Sequence, residues 1–320
     1  TRRSSDLLLT RRQHSRYDLV INSNNTLYAL NPQASYLHYI HYPSPTAGTY
    51  LARYPKPNSI RGIYGRVVAR LLVAAGDPLR PQRVYTNSEF TAAATRQVYG
   101  EDAFPIEVLP PTAFDTVQAI DADDAREPFC LSVGSITPDK RQMQQLEIAA
   151  QVSDLQFIIV GSVRDQHYYE QMQRFIAQRQ LTNVTIEPDA PYERLQALLS
   201  RARFFLHTMP NEPFGISTAQ AVAAGCIPIV TDSGGQREVV PDADLRFGEI
   251  DEAVAIVRRL LGYTTQEHYQ QLHSLQTHVS IFSRANFAAR IRPIFAALLV
   301  KTGVASQEDK GNHAKSNTHE

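Results

Sequence analysis

The segment Arg203-Phe204-Phe205-Leu206-His207-Thr208, followed at once by Met209-Pro210-Asn211-Glu212-Pro213-Phe214-Gly215-Ile216, decides how the second half of this chain is read. An apolar run of that length suits a strand buried on both faces. Beyond it, Ser217-Thr218-Ala219-Gln220-Ala221 carries a helical period that runs to about residue 225, so the polar loop lies between a strand end and a helix start. Unpaired N–H groups and the positive end of the helix dipole favour phosphate at such a junction. Gly215 lets a ligand approach the backbone closely. Glu212 is either a ligand contact or an acidic residue favourably placed near a helix start.

The strand–helix rhythm continues on both sides of this segment. Apolar runs at 129–135, 155–161, 183–186 and 227–231 alternate with amphipathic stretches near 140–152, 165–180 and 191–202. Strands separated by helices of that length build βαβ units, giving a parallel sheet with helices on both faces. The first half repeats the pattern more sparsely, with strand-like 18–22, 36–41, 83–86 and 106–109 and helices at 60–75 and 88–99. Leu109-Pro110-Pro111 interrupts either kind of element and marks a seam. Charge changes across it: residues 1–112 carry 13 Lys+Arg against 7 Asp+Glu, a net of +6, and the remainder a net of −6. The expected organisation is an α/β chain of two Rossmann-like domains with parallel sheets, 1–112 and 113–282. A last helix at 283–301 packs back toward the first domain, and the polar, aperiodic residues 302–320 form a disordered tail.

Composition narrows the function classes. Lys+Arg and Asp+Glu number 32 each, and the resulting net charge of zero speaks against a dedicated nucleic-acid binder. Two cysteines, Cys130 and Cys226, are too few for a disulfide scaffold. No apolar run reaches the ~18 residues of a membrane span and no leader pattern opens the sequence, so a cytoplasmic location is expected. The sequence shows no HExxH, paired CxxC or Walker pattern, so neither metal nor cofactor is expected.

Two further loops follow strand ends in the second half. Gly134-Ser135-Ile136-Thr137-Pro138-Asp139-Lys140-Arg141 offers Lys140 as a point charge and Arg141 as a planar fork for a diphosphate, although a Lys-Arg pair at a helix start is also a common solvated surface feature. Asp232-Ser233-Gly234-Gly235-Gln236 is the third. Open α/β sheets bind ligands at the C-terminal edge of their strands, where all three loops would meet. In the first half, His38-Tyr39-Ile40-His41-Tyr42-Pro43 ends a strand. Alternation puts His38 and His41 on opposite faces, so one of them, His41, is the candidate. His207, inside an apolar strand, reads as a structural histidine.

Taken together these residues resemble the retaining nucleotide-sugar glycosyltransferases of family four, from about Tyr17 to about Val300. The markers are His41-Tyr42-Pro43, Asn87-Ser88-Glu89-Phe90, Pro110-Pro111, Val133-Gly134 with Pro138-Asp139-Lys140, Ile159-Val160-Gly161, Asn211 to Ile216, Ala223-Ala224-Gly225 and Gly234-Gly235 with Glu238. The motifs at 39–43 and 211–216 look most like those of the α-1,2-mannosyltransferases that extend dolichol-linked oligosaccharide. The resemblance implies the GT-B fold, a nucleoside diphosphate sugar as donor, and a glycan or lipid-linked acceptor. It also implies roles. Lys140 contacts the donor diphosphate with Gly134, Ser135 and Arg141 beside it, and Glu212 holds hydroxyls of the donor sugar. Backbone N–H groups at Phe214, Gly215, Ile216 and Ser217 cradle phosphate, Gln220 meets the ribose, and His41 faces the sugar.

Three features depart from the family pattern. Gln220 stands where a second glutamate is usual, Ser135 stands where arginine is common, and the first strand, Gly-rich loop and helix of the N-terminal domain have no counterpart in these residues. A second reading is therefore a non-catalytic relative that binds nucleotide sugar or serves as a partner subunit. At 60–72, Ile60, Ile63, Tyr64, Val67, Val68, Leu71 and Leu72 form a helical stripe with Arg61, Arg66 and Arg70 off it. Such a helix either packs on a core or rests on an anionic membrane surface.

Overall fold

The computed structural model describes residues 17, 19–23, 35–43, 83–120 and 126–301. The amphipathic stretch read at 60–75 and the tail read at 302–320 lie outside them. The chain divides into two compact units, which meet along the sequence at Pro110–Pro111 and again between Phe287 and Ala288.

In the first unit β1 (Leu19–Asn22), β2 (Ser35–Ile40), β3 (Val84–Thr86) and β4 (Ile106–Val108) lie side by side in that order, all parallel. Helix α1 (Glu89–Tyr99) follows β3, and the Ser88 side chain caps it by accepting from Thr91 N. Tyr39 Oη donates to Leu109 O at 2.8 Å, fixing the strand that carries the His-Tyr-Pro turn against the end of the unit's last loop.

The second unit holds a six-stranded parallel sheet in the order β10-β9-β8-β5-β6-β7. Its strands are β5 (Glu127–Val133), β6 (Gln156–Gly161), β7 (Val184–Pro188), β8 (Ala202–His207), β9 (Ile227–Thr231) and β10 (Arg246–Phe247). Between them run α2 (Gln142–Gln151), α3 (Gln166–Arg179), α4 (Tyr192–Arg201), α5 (Ile216–Ala223) and the short α6 (Gln236–Val239). The chain winds outward from β5 through β6 to β7, then crosses back to β8 on the other side of β5. The loops after β5 and β8 therefore diverge, and the crevice between them is the switch point of the sheet. Both faces are packed: Phe204 and Leu206 belong to one apolar cluster, Phe205 and Leu131 to another, all 1% exposed or less.

Three further helices follow among the described residues: α7 (Ile250–Leu261), α8 (Thr265–Val279) and α9 (Arg284–Lys301). The reading of the sequence covers α9 but passes over α7 and α8. Helix α8 is hard to see because its buried stripe mixes His268 and Gln276 with Leu272, Leu275 and Val279. Its start is nonetheless written in the sequence, since Thr264 and Glu267 form a reciprocal capping box. Residues of α9 from Ala288 onward belong to the first unit, where Arg290 Nη2 donates to Val108 O at 2.7 Å.

Two glycines near the switch point differ sharply in what they tolerate. A Cβ on Gly161 would stand 1.8 Å from the carbonyl oxygen of Gly134, a backbone atom that cannot turn aside, whereas a Cβ on Gly134 meets nothing nearer than the Lys140 side chain at 3.9 Å. Gly161→Ala is expected to cost about 2–3 kcal/mol and Gly134→Ala no more than about 1 kcal/mol, as read by urea denaturation. Equal effects would show that the β5 and β6 loops are not pressed together as described.

Candidate functional site

Three loops meet at the C-terminal edge of the second sheet, and each is held by identifiable bonds. The loop after β5 is stitched to the loop after β6: Ile136 N donates to Ser162 O at 2.8 Å, and Gly134 N to Val160 O at 3.0 Å. A single 3-10 turn, Pro138–Lys140, then presents Lys140, and Arg141 takes a left-handed conformation (φ 54°) before α2 begins. Gln142 Nε2 donates to Ser135 O at 2.8 Å. Thr208 Oγ1, just past β8, bonds the carbonyls of Lys140 at 2.8 Å and Arg141 at 3.2 Å while accepting from Gln145 Nε2 at 2.9 Å.

The loop after β8 lies directly on the loop after β9. Asn211 N donates to Ser233 Oγ at 3.0 Å and Gly235 N to Glu212 O at 2.8 Å, while Thr231 Oγ1 donates to Met209 O at 2.8 Å. The Gly234-Gly235 pair is what permits this contact. A Cβ on Gly234, which has φ +67°, would lie 2.5 Å from Glu212 O, and one on Gly235 would lie 2.4 Å from Pro213 O. Phe214 is 2% exposed and packs edge-on to Phe282 with ring centroids 5.0 Å apart. Its side chain anchors the loop in the core, and the sequence reading of Phe214 concerns its backbone N–H alone. Gly215 takes φ +111° at the N-cap of α5 and provides no side-chain cap. The helix start thus keeps N–H groups unclaimed by a cap, with Ile216 exposed and Ser217 half-buried beside them.

At the centre of these loops Lys140 Nζ meets Glu212 Oε2 at 2.9 Å, with side-chain exposures of 25% and 17%. The bond joins the strand ends on either side of the switch point. His207 Nε2 lies 3.6 Å from the same carboxylate oxygen, an ion-pair separation longer than a hydrogen bond. Burial opposes ionisation of Glu212, but the adjacent His207 imidazole and the Lys140 ammonium together outweigh it and hold the carboxyl well below its ordinary value.

The structure therefore brings together Lys140, Glu212, the Gly215–Ser217 helix start and the Gly134–Ser135 turn. Arg141 is exposed beside Lys140, and Gln220 is exposed on α5. His41 lies in the first unit, where its Nε2 shares a hydrogen bond of 2.8 Å with Ser23 Oγ and burial lowers its pKa. His38, by contrast, is buried and bonded to Asn22 at 3.1 Å. His207 is buried, in keeping with its reading as a structural histidine, but the sequence reading does not place it beside Glu212. Its strand is apolar, as read, but His207 is the last residue of β8, where the side chain reaches the loop that follows.

Because the folded-state carboxyl of Glu212 titrates below its unfolded counterpart, its contribution to stability is complete above the ordinary glutamate range. It disappears as pH falls through the lower folded-state value. Glu212→Gln is expected to melt below wild type by a constant margin above about pH 5.5, with the margin closing in more acid solution. A margin that does not change with pH would mean the carboxylate is not held as described.

Known proteins fit this geometry. Residues 114–271 match the family described as glycosyl transferases group 1. The chain is 28% identical over 213 residues to a GDP-Man:Man(3)GlcNAc(2)-PP-Dol alpha-1,2-mannosyltransferase of Xenopus laevis, covering 59% of this chain and 44% of that protein. It is 32% identical over 133 residues to the Caenorhabditis elegans protein of the same name, covering 38% and 28%. The chain thus spans less than half the length of these curated relatives. Among solved structures, Anabaena HepE in complex with UDP and glucose has a TM-score of 0.71 at 17% identity, covering 92% of this chain and 83% of that one. Sucrose-phosphate synthase from Thermosynechococcus elongatus has a TM-score of 0.67 at 18% identity, covering 91% and 76%. The chain therefore has the GT-B fold and carries, at residues 114–271, a group 1 glycosyl transferase domain resembling that of the mannosyltransferases.

Proposed function

We propose that this chain is a retaining hexosyltransferase, moving a sugar from a nucleoside diphosphate to a hydroxyl acceptor without a metal ion. The observation that carries the reading is the Lys140–Glu212 pair, set at the switch point of the sheet beside an uncapped helix start. A cation and an anion a few ångströms apart match the two ends of such a donor, a diphosphate and a sugar bearing hydroxyls. The names of the relatives supply the finer expectation, GDP-mannose as donor and a lipid-linked glycan as acceptor.

When the donor enters, its diphosphate competes with Glu212 for Lys140. The diphosphate carries the greater charge and gains the N–H groups at the start of α5 as well, so Lys140 turns to it. Glu212, freed on that side, accepts hydrogen bonds from the sugar. Arg141 offers a second cation where Ser135 has none, and Gln220 meets the ribose with one acceptor in place of two. His41 enters this account on the family resemblance alone. The acceptor oxygen attacks the anomeric carbon on the face the phosphate is leaving. The carbon–oxygen bond to phosphate breaks, and the acceptor's proton passes to the departing phosphate oxygen. Lys140 and the helix start stabilise the charge that develops there, the role a metal ion plays elsewhere.

The site of action we propose is the cytoplasmic face of a membrane that presents the acceptor, with the protein bound peripherally. No helix among the described residues is long and apolar enough to cross a membrane. Gln220 and Ser135 favour one other reading, a non-catalytic relative that binds nucleotide sugar or serves as a partner subunit.

Thermal unfolding with GDP, UDP and ADP, each with and without its sugar and with Mg²⁺ or EDTA, tests the proposal. One base is expected to raise the melting temperature whether or not metal is present, by the equivalent of about 2.7 kcal/mol at a hundredfold excess over the dissociation constant. Lys140→Ala is expected to abolish the shift. No shift with any nucleotide would overturn the donor site, and a shift without sugar transfer to a lipid-linked acceptor would favour the non-catalytic relative.

A further inference from the structure

We propose that His207 is a positioning residue for Glu212, keeping the carboxylate aligned after a bound diphosphate has drawn Lys140 away. The inference rests on the donor reading above and adds a part to it.

His207 closes β8 five residues before Glu212, and its side chain is 6% exposed. Its Nε2 lies 3.6 Å from Glu212 Oε2, the oxygen that also receives Lys140 Nζ at 2.9 Å. Its Nδ1 is buried and has no hydrogen-bond partner among the described residues. A histidine kept for the core satisfies its ring nitrogens with nearby protein groups, because a buried polar atom left alone costs free energy. Among the described residues, the polar contact of this ring is with the carboxylate at the site. With the proton on Nε2, the ring points a donor at Glu212 and leaves only a lone pair unmatched at Nδ1.

The adjacent Thr208 grips the other member of the pair, through the carbonyls of Lys140 and Arg141. Two consecutive residues at one strand end thus meet the pair: Thr208 bonds the backbone of the Lys140 loop, and His207 lies against the Glu212 carboxylate. The Lys140 side chain can swing to a phosphate without moving its loop, and Glu212 keeps a donor when it does. Because both contacts fall on Oε2, Oε1 has no hydrogen bond among the described residues and is open to a sugar hydroxyl.

Calorimetric titration of wild type, His207→Leu and His207→Gln with GDP and with GDP-mannose separates positioning from folding. His207→Leu is expected to weaken GDP-mannose about tenfold while changing GDP by no more than about twofold. His207→Gln, whose amide N–H₂ can take the place of Nε2–H, is expected to restore most of the loss. Equal losses for both nucleotides, or a glutamine variant no better than leucine, would overturn the inference.

A second readout needs no donor. In protein labelled with ¹³C at glutamate side-chain carboxyls, the Glu212 resonance is identified by its disappearance in Glu212→Gln. The groups facing that carboxylate are the His207 ring and the Lys140 ammonium. Its titration midpoint is expected to rise in His207→Leu, with Lys140→Met reporting the other contribution separately. An unmoved midpoint overturns the role of His207 whichever nucleotide binds. A raised midpoint in a protein that binds neither nucleotide supports the His207–Glu212 coupling and counts against the donor reading alone.

Discussion

A partly buried ion pair between two diverging loops is the constraint on which the second unit's crevice depends. Lys140 and Glu212 belong to the ends of β5 and β8, neighbouring strands from which the chain departs in opposite directions. Withdrawing either partner would leave a charge with little water and no counter-ion, which is costlier than never having built the pair. The surrounding sequence is arranged so that the two can meet. Gly161 lets the β6 loop press against the β5 loop, Gly234 and Gly235 let the β9 loop support the β8 loop, and Phe214 pins that support into the core.

The same pair explains how a site for a doubly charged ligand can stay folded while empty. On the proposed reading, each ion satisfies the other until a donor arrives, and the donor then offers each a better partner: phosphate for the ammonium, sugar hydroxyls for the carboxylate. Binding exchanges one set of charge-assisted bonds for another, so only the surplus between them appears as affinity. Neighbouring groups decide which parts stay fixed during the exchange. Thr208 and Gln142 hold the backbone of the β5 loop, and His207 lies beside the Glu212 carboxylate.

Much of this architecture was legible in the sequence because βαβ units write themselves as short apolar runs between amphipathic ones. The strand at 227–231 is seen as read, and the run at 155–161 gives β6 within one residue. Helix α8 was not legible, since polar His268 and Gln276 sit in its buried stripe and dilute the period. The three loops of the candidate site could be ordered along one sheet edge from their places after strands alone. What the sequence could not give is which side chains touch. His207 looks like any strand residue until the register of β8 puts it at the strand's last position, beside the loop it precedes. Phe214 looks like a motif residue until its burial shows that it serves the core.

The account makes Glu212 a competitor of the diphosphate and a partner of the sugar, two roles that a single substitution pulls apart. The deciding measurement is the affinity of Glu212→Gln, against wild type, for the bare nucleoside diphosphate and for the same nucleotide bearing its sugar. The account predicts opposite signs: the bare diphosphate binds more tightly because Lys140 is released to it, and the nucleotide sugar binds more weakly because its hydroxyls lose their acceptor. Affinities that fall together, or a diphosphate affinity that does not rise, would contradict the exchange at the centre of the site.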